Sequence, residues 1–150
     1  MKKIVYLLSI ILVLSSIFFF SSKSSVESNG FSKKLINNTV GIIEKIIDKD
    51  LNNKELIDNF NYPIRKIAHF TIFLILGIFV LLFINTFNNN HAISVSILIC
   101  IMFAALDETH QFFSIGRSPL ILDIFIDAIG SINGILITNK IIKKKEHSYK

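Results

Sequence analysis

Three short stretches of this 150-residue chain set ionisable side chains beside long apolar runs, at spacings that let them do chemistry together. Arg65 and Lys66 stand four and three residues before His69, so the three share one side of a helix. Asp107, His110, Gln111 and Ser114 follow the same three-four rule, with Glu108 beside them. Asp123, Asp127, Gly130 and Gly134 form a single stripe that is acidic at one end and small at the other. His69 or His110 could serve as general acid or base, oriented by Asp107, Glu108, Asp123 or Asp127. Arg65, Lys66, Gln111 and Arg117 suit an anionic group, the arginines through their planar forks. A metal is the weaker reading. Asp107-x-x-His110 has helical ligand spacing that His69, Glu108, Asp123 or Asp127 could complete, but it is far less specific than HExxH, and the expectation is no metal and no cofactor. No Ser-His-Asp order, phosphate loop or Gly-rich fingerprint is present.

The elements that must position these residues are membrane helices. Apolar residues make up 51% of the chain and charged residues only 18%, and the mean hydropathy of +0.58 is too high for a domain with its own aqueous shell. Four apolar runs of membrane length are expected, at about 4–20, 67–84, 92–113 and 119–138, in one membrane domain over 1–150. The first reads as a membrane helix or as the apolar part of a signal peptide. The serines at 21, 22, 24 and 25 show no clear Ala-x-Ala pattern, so a retained anchor is the expectation. Pro63 suits the first turn of the second helix, Gly116 a left-handed stop after the third, and Ser118-Pro119 the start of the fourth. Between the first two spans, Phe31, Leu35, Ile36, Val40, Ile43, Ile46 and Ile47 recur at helical spacing opposite charged residues. This predicts an amphipathic surface helix within an external loop of about 31–60, where Asn52 to Glu55 resembles a capping box. The fold class expected is therefore an all-α membrane protein, a bundle of four transmembrane helices with that surface helix in the first loop.

Lys2 and Lys3 at one end and Lys140, Lys143, Lys144 and Lys145 at the other point to cytoplasmic termini by the positive-inside rule. The start of the second helix, the end of the third and the start of the fourth then meet at one external face. The opposite connection, from Asn85 to His91, carries no Lys, Arg, Asp or Glu. The basic balance reads as lipid-headgroup contacts and topology signals, with no basic stripe for nucleic acid. The lone Cys100 excludes a disulfide framework. A charge at membrane depth costs about 2.5 to 3.5 kcal/mol on insertion scales, so the acids here need partners. A salt-bridge network that fixes three helices in register would meet that need without any function. Gly130 and Gly134 make a small-xxx-small contact that brings another helix close.

Arg65-Lys-Ile-Ala-His69-Phe, then Leu76-Gly77, then Asp107-Glu-Thr-His-Gln-Phe-Phe-Ser-Ile-Gly-Arg117 with Asp123, Asp127, Gly130 and Gly134 resemble the VanZ-like family, named for a teicoplanin-resistance protein of Gram-positive bacteria. The resemblance spans roughly residues 62 to 137. Phe73 stands where such proteins often have Tyr, and Ser118-Pro119 replaces a more usual glycine-containing turn. It implies an integral membrane protein at the outer envelope that lowers susceptibility to glycopeptides, with membrane lipids and a lipid-linked envelope precursor or glycopeptide target as partners. An enzyme acting on a lipid-linked or other anionic substrate, and a non-catalytic headgroup-binding or structural protein, are the alternatives.

Overall fold

The computed structural model describes residues 1–47, 54–116 and 120–148. They form α1 (Lys2–Ser21), α2 (Ser25–Ile47), α3 (Lys54–Asn85), α4 (Ala92–Phe112) and α5 (Ile121–Ser148), with no strand among the described residues. Four segments are long and apolar enough to cross a membrane: Lys2–Ser21, Phe60–Asn85, Ala92–Phe112 and Ile121–Lys145. The all-α bundle of four spans expected from the apolar runs is thus what the chain forms.

α3 and α5 make the central seam. A Cβ on Gly77 would strike the Ser131 carbonyl, one on Gly130 the Phe70 carbonyl, and one on Gly134 the Leu74 carbonyl, so the two backbones touch where only glycine fits. Phe73, Leu76, Val80, Leu81, Cys100, Ala104 and Ile135 close around that seam with almost no exposed surface. Phe73 belongs to this apolar cluster and so sits in a place with no need of a hydroxyl. α4 packs on both α3 and α5, and α1 lies outside on α3 and α4, burying Ile10 and Ile17. Ile4, Leu8 and Leu12 of α1 face outward. In a bilayer such faces are ordinary, because lipid tails are as apolar as leucine.

Several boundaries differ from expectation. α3 runs unbroken from Lys54, with Pro63 inside the helix and not in its first turn. The proline removes one backbone donor, which near the membrane edge water can replace for the carbonyl left behind. α4 stops at Phe112, and Gly116 takes its positive φ of 73° in the turn that follows. α5 continues ten residues past 138 because lysines are good helix formers and their stems can lie along the bundle while the charges reach water. The Asn52 to Glu55 and Ser118-Pro119 caps fall wholly or partly outside the described residues.

A capping box does open α2. Ser24 Oγ accepts the Glu27 N–H at 3.3 Å, and Glu27 Oε2 accepts the Ser24 N–H at 3.0 Å and its hydroxyl at 3.1 Å. The Ser24 backbone N–H, its hydroxyl and nearby Lys23 hold the Glu27 carboxyl below the usual glutamate range. The first loop is therefore helical from Ser25 to Ile47 and packs on α3. Of the apolar face expected there, Ile36 is buried and Phe31 is exposed, and the side chains of Leu35 and of Val40 onward fall outside the described ones, so its amphipathic character is left as an expectation.

Candidate functional site

One end of the bundle gathers all three chemical stretches. Lys66 of α3 pairs with Asp123 of α5, both side chains largely shielded. Glu108 of α4 accepts the Leu120 N–H at 2.6 Å through Oε1 and so tethers the segment that opens α5, where helix-terminal donors favour a negative charge. α1 joins at its C-terminal end, where Ser114 Oγ donates to the Ser21 carbonyl at 3.0 Å. At the far end of the bundle Lys3 lies over the Phe87 ring, 4.4 Å from its centroid.

Within this end, His69, Asp107 and Asp127 converge from α3, α4 and α5. Each offers one atom such that all three lie within 4.8 Å of one another. Asp107 is 0% exposed and Asp127 1%. His69 Nδ1 stands 3.6 Å from Asp127 Oδ1, too far for a hydrogen bond. Gln111 Nε2 donates to Asp107 Oδ2 at 2.8 Å. That leaves Asp107 Oδ1, both Asp127 oxygens and His69 Nδ1 buried with no hydrogen-bond partner among the described residues. Glu108 Oε2 is in the same condition. Native interiors rarely leave so many polar atoms unsatisfied in one place, and such a group asks for an occupant.

The other candidates take different places. His110 turns toward α1: its Nε2 lies 2.9 Å from Ser22 Oγ, and its ring meets Phe18 edge-on at 5.6 Å. Arg65 donates to Asn29 Oδ1 at 3.1 Å, and Asn61 joins the same acceptor at 3.2 Å. Lys66 also sits 4.9 Å from the Tyr62 ring centroid. Gly130 and Gly134 pack the seam, as their spacing suggests, and Arg117 lies outside the described residues.

The Lys66–Asp123 pair offers a direct test of the network idea. Lys66→Met and Asp123→Leu should each destabilise the detergent-solubilised protein, and the double variant should recover part of the loss. The coupling expected is about 0.5 to 3 kcal/mol, as contacting residues show. Additive losses in thermal or denaturant melts would remove this pair from the forces that hold α3 to α5.

A cavity of about 700 Å³ adjoins the group, between the end of α1, the start of α2 and the outer part of α3. Phe19, Phe20 and Phe31 give it apolar walls, and Lys23, Lys34 and Arg65 line it as cations, Lys23 standing 4.0 Å from the one acid there, Glu27. His69 lines it too, so one imidazole connects the cavity with the buried carboxylates. The spacing of charged residues beside the apolar runs did not announce this cavity. Lys23, Lys34, Asn29 and Ser22 lie in a serine-rich stretch and a loop whose fold onto α3 no local pattern reveals.

Four membrane-length helices around a buried acid and histidine group define a small multi-pass membrane protein with its polar chemistry at one end of the bundle. The chain belongs to the VanZ/LLP1 family, which matches residues 5–143. The match takes in the first span and the first loop as well as the motif-bearing helices. Comparison with curated proteins and with solved structures finds no match.

Proposed function

We propose that the protein works at the outer face of the cell membrane, where it holds the anionic headgroup of an envelope lipid and so lowers the access of a glycopeptide such as teicoplanin to the cell surface. The observation that carries this reading is the cavity. Its phenylalanine walls suit an acyl chain, and Lys23, Lys34 and Arg65 suit a phosphate. Family membership supports the direction, because glycopeptide susceptibility is what the VanZ resemblance implies. The terminal lysines support an outward-facing cavity.

Two measurements test this. A cysteine at exposed Asn37, with Cys100 replaced by Ala, should react with a membrane-impermeant maleimide in intact cells, and labelling only after lysis would put the cavity on the inner side. Arg65→Ala should bring teicoplanin susceptibility to that of cells lacking the protein. Arg65→Lys should restore it only in part, because a point charge cannot replace a bidentate fork. Full protection by Arg65→Ala would end the headgroup reading.

Catalysis is the second reading, favoured by His69 alone. An imidazole that lines a ligand cavity and has a carboxylate behind it is placed for acid-base work. Conversion of a copurifying lipid, seen by mass spectrometry, would mark an enzyme. A lipid held unchanged over the same time would mark a binding protein.

A further inference from the structure

We propose that His69, Asp107 and Asp127 bind one divalent transition-metal ion, of the zinc or manganese kind, between α3, α4 and α5. The three residues come from three helices and offer ligand atoms within 4.8 Å of one another. The two carboxylates are all but sealed from solvent, with three of their four oxygens lacking a hydrogen-bond partner among the described residues. Burying unpaired carboxylates in a membrane protein is costly, and such groups are ordinarily neutralised by a partner or a metal. Lys66, three residues from His69, is paired with Asp123, and Arg65 lies against Asn29 at the cavity. Acting as metal ligands, two deprotonated carboxylates and a neutral imidazole would together carry −2, which one divalent ion cancels.

The geometry points the same way. His69 Nδ1 and Asp127 Oδ1 are 3.6 Å apart, longer than a hydrogen bond but close to the roughly 3.4 Å that separates two ligands of one tetrahedral zinc ion. Gln111 holds Asp107 Oδ2, which fixes the carboxylate and leaves Oδ1 to face an ion. The imidazole favours zinc and the two carboxylates also suit manganese, whereas magnesium and calcium prefer all-oxygen surroundings. Three protein ligands would leave a coordination position open, as catalytic metal sites do. The site shares His69 with the cavity of the headgroup reading, but ion uptake is read without any susceptibility assay, so either reading can fail alone.

The test uses the full-length protein in detergent, carrying an affinity tag without histidine and stripped with a chelator. Zinc or manganese chloride is then titrated while binding and melting temperature are followed. Saturable uptake of one ion per chain is expected, with a raised melting temperature and no such effect from magnesium at the same concentration. His69→Gln and Asp127→Asn should each weaken binding at least tenfold, and His110→Gln should bind as the parent does. The absence of saturable binding by either ion would overturn the proposal. Equal uptake by Asp127→Asn and His69→Gln, loss of uptake in His110→Gln, or an equal response to magnesium would overturn it as well. The parent's own titration decides the matter even if a variant fails to purify.

Discussion

Gly134→Ala is expected to lower the melting temperature of the detergent-solubilised protein more than any substitution on its surface, and Gly134→Leu to prevent the bundle from assembling. The reason is where the added carbon would go. A Cβ at 134 overlaps the Leu74 carbonyl oxygen and comes within 3.0 Å of the Leu74 carbonyl carbon and 3.2 Å of the Ile78 nitrogen. All three atoms belong to the α3 backbone, so no flexible side chain can swing aside. α3 would have to move away from α5 as a body, opening a seam that also carries Gly77 and Gly130. Overpacking of a well-filled interior costs about 1 to 3 kcal/mol and sometimes more. Gly30 is the control. It lies inside α2 with nothing within 4 Å of its would-be Cβ, so Gly30→Ala should be neutral or stabilising by up to about 1 kcal/mol through helix propensity. Thermal melts of the two variants beside the parent check both halves. A Gly134→Ala protein as stable as the parent would mean that α3 and α5 do not meet through their backbones.

The helices that glycine brings together were legible because the signals were local. Each span is an uninterrupted apolar run of the length a bilayer demands, and Gly130 and Gly134 are four apart on the stripe that carries Asp123 and Asp127. Gly77 was visible too, but only the crossing shows that it meets Ser131. Pro63 misled because a first turn is where a missing N–H costs least, which is a preference and not a rule. The chain instead keeps the helix going and gives up one hydrogen bond. The Ser24-x-x-Glu27 capping box was readable by the same rule that picked Asn52 to Glu55, yet the serine run drew attention as a possible cleavage region and hid it. The pairing of charges was the least legible part. Asp107 and His110 are near one helix face by spacing, but the roughly 60° that three residues leave between them is enough for α4 to turn Asp107 inward to His69 and His110 toward Ser22 of the α1 end. Such phases are set by the contacts of α4 with α1, α3 and α5, which no window of sequence contains.

That division between an inward and an outward histidine leads to the second large effect expected. If the protein protects against teicoplanin as proposed, Asp127→Asn should remove that protection and yet melt at or above the temperature of the chelator-treated parent protein. Asn keeps the shape of the side chain and loses the charge. Asp127 is 1% exposed, with neither oxygen hydrogen-bonded among the described residues, so there is little favourable contact to lose. An amide there also cannot oppose Asp107 as a second negative charge. A purely structural salt-bridge network predicts the reverse. Removing one partner of a deeply buried pair typically costs about 3 to 5 kcal/mol, because the other is left as an unpaired charge. His110→Ala is the companion variant. It gives up the contacts with Ser22 and Phe18, which should loosen α1 slightly while protection persists. Thermal melts in detergent, run beside teicoplanin susceptibility in the same strain, separate the two accounts. Should Asp127→Asn melt several degrees below the stripped parent, or protect cells as well as the parent does, the group is a brace between helices and not a working site.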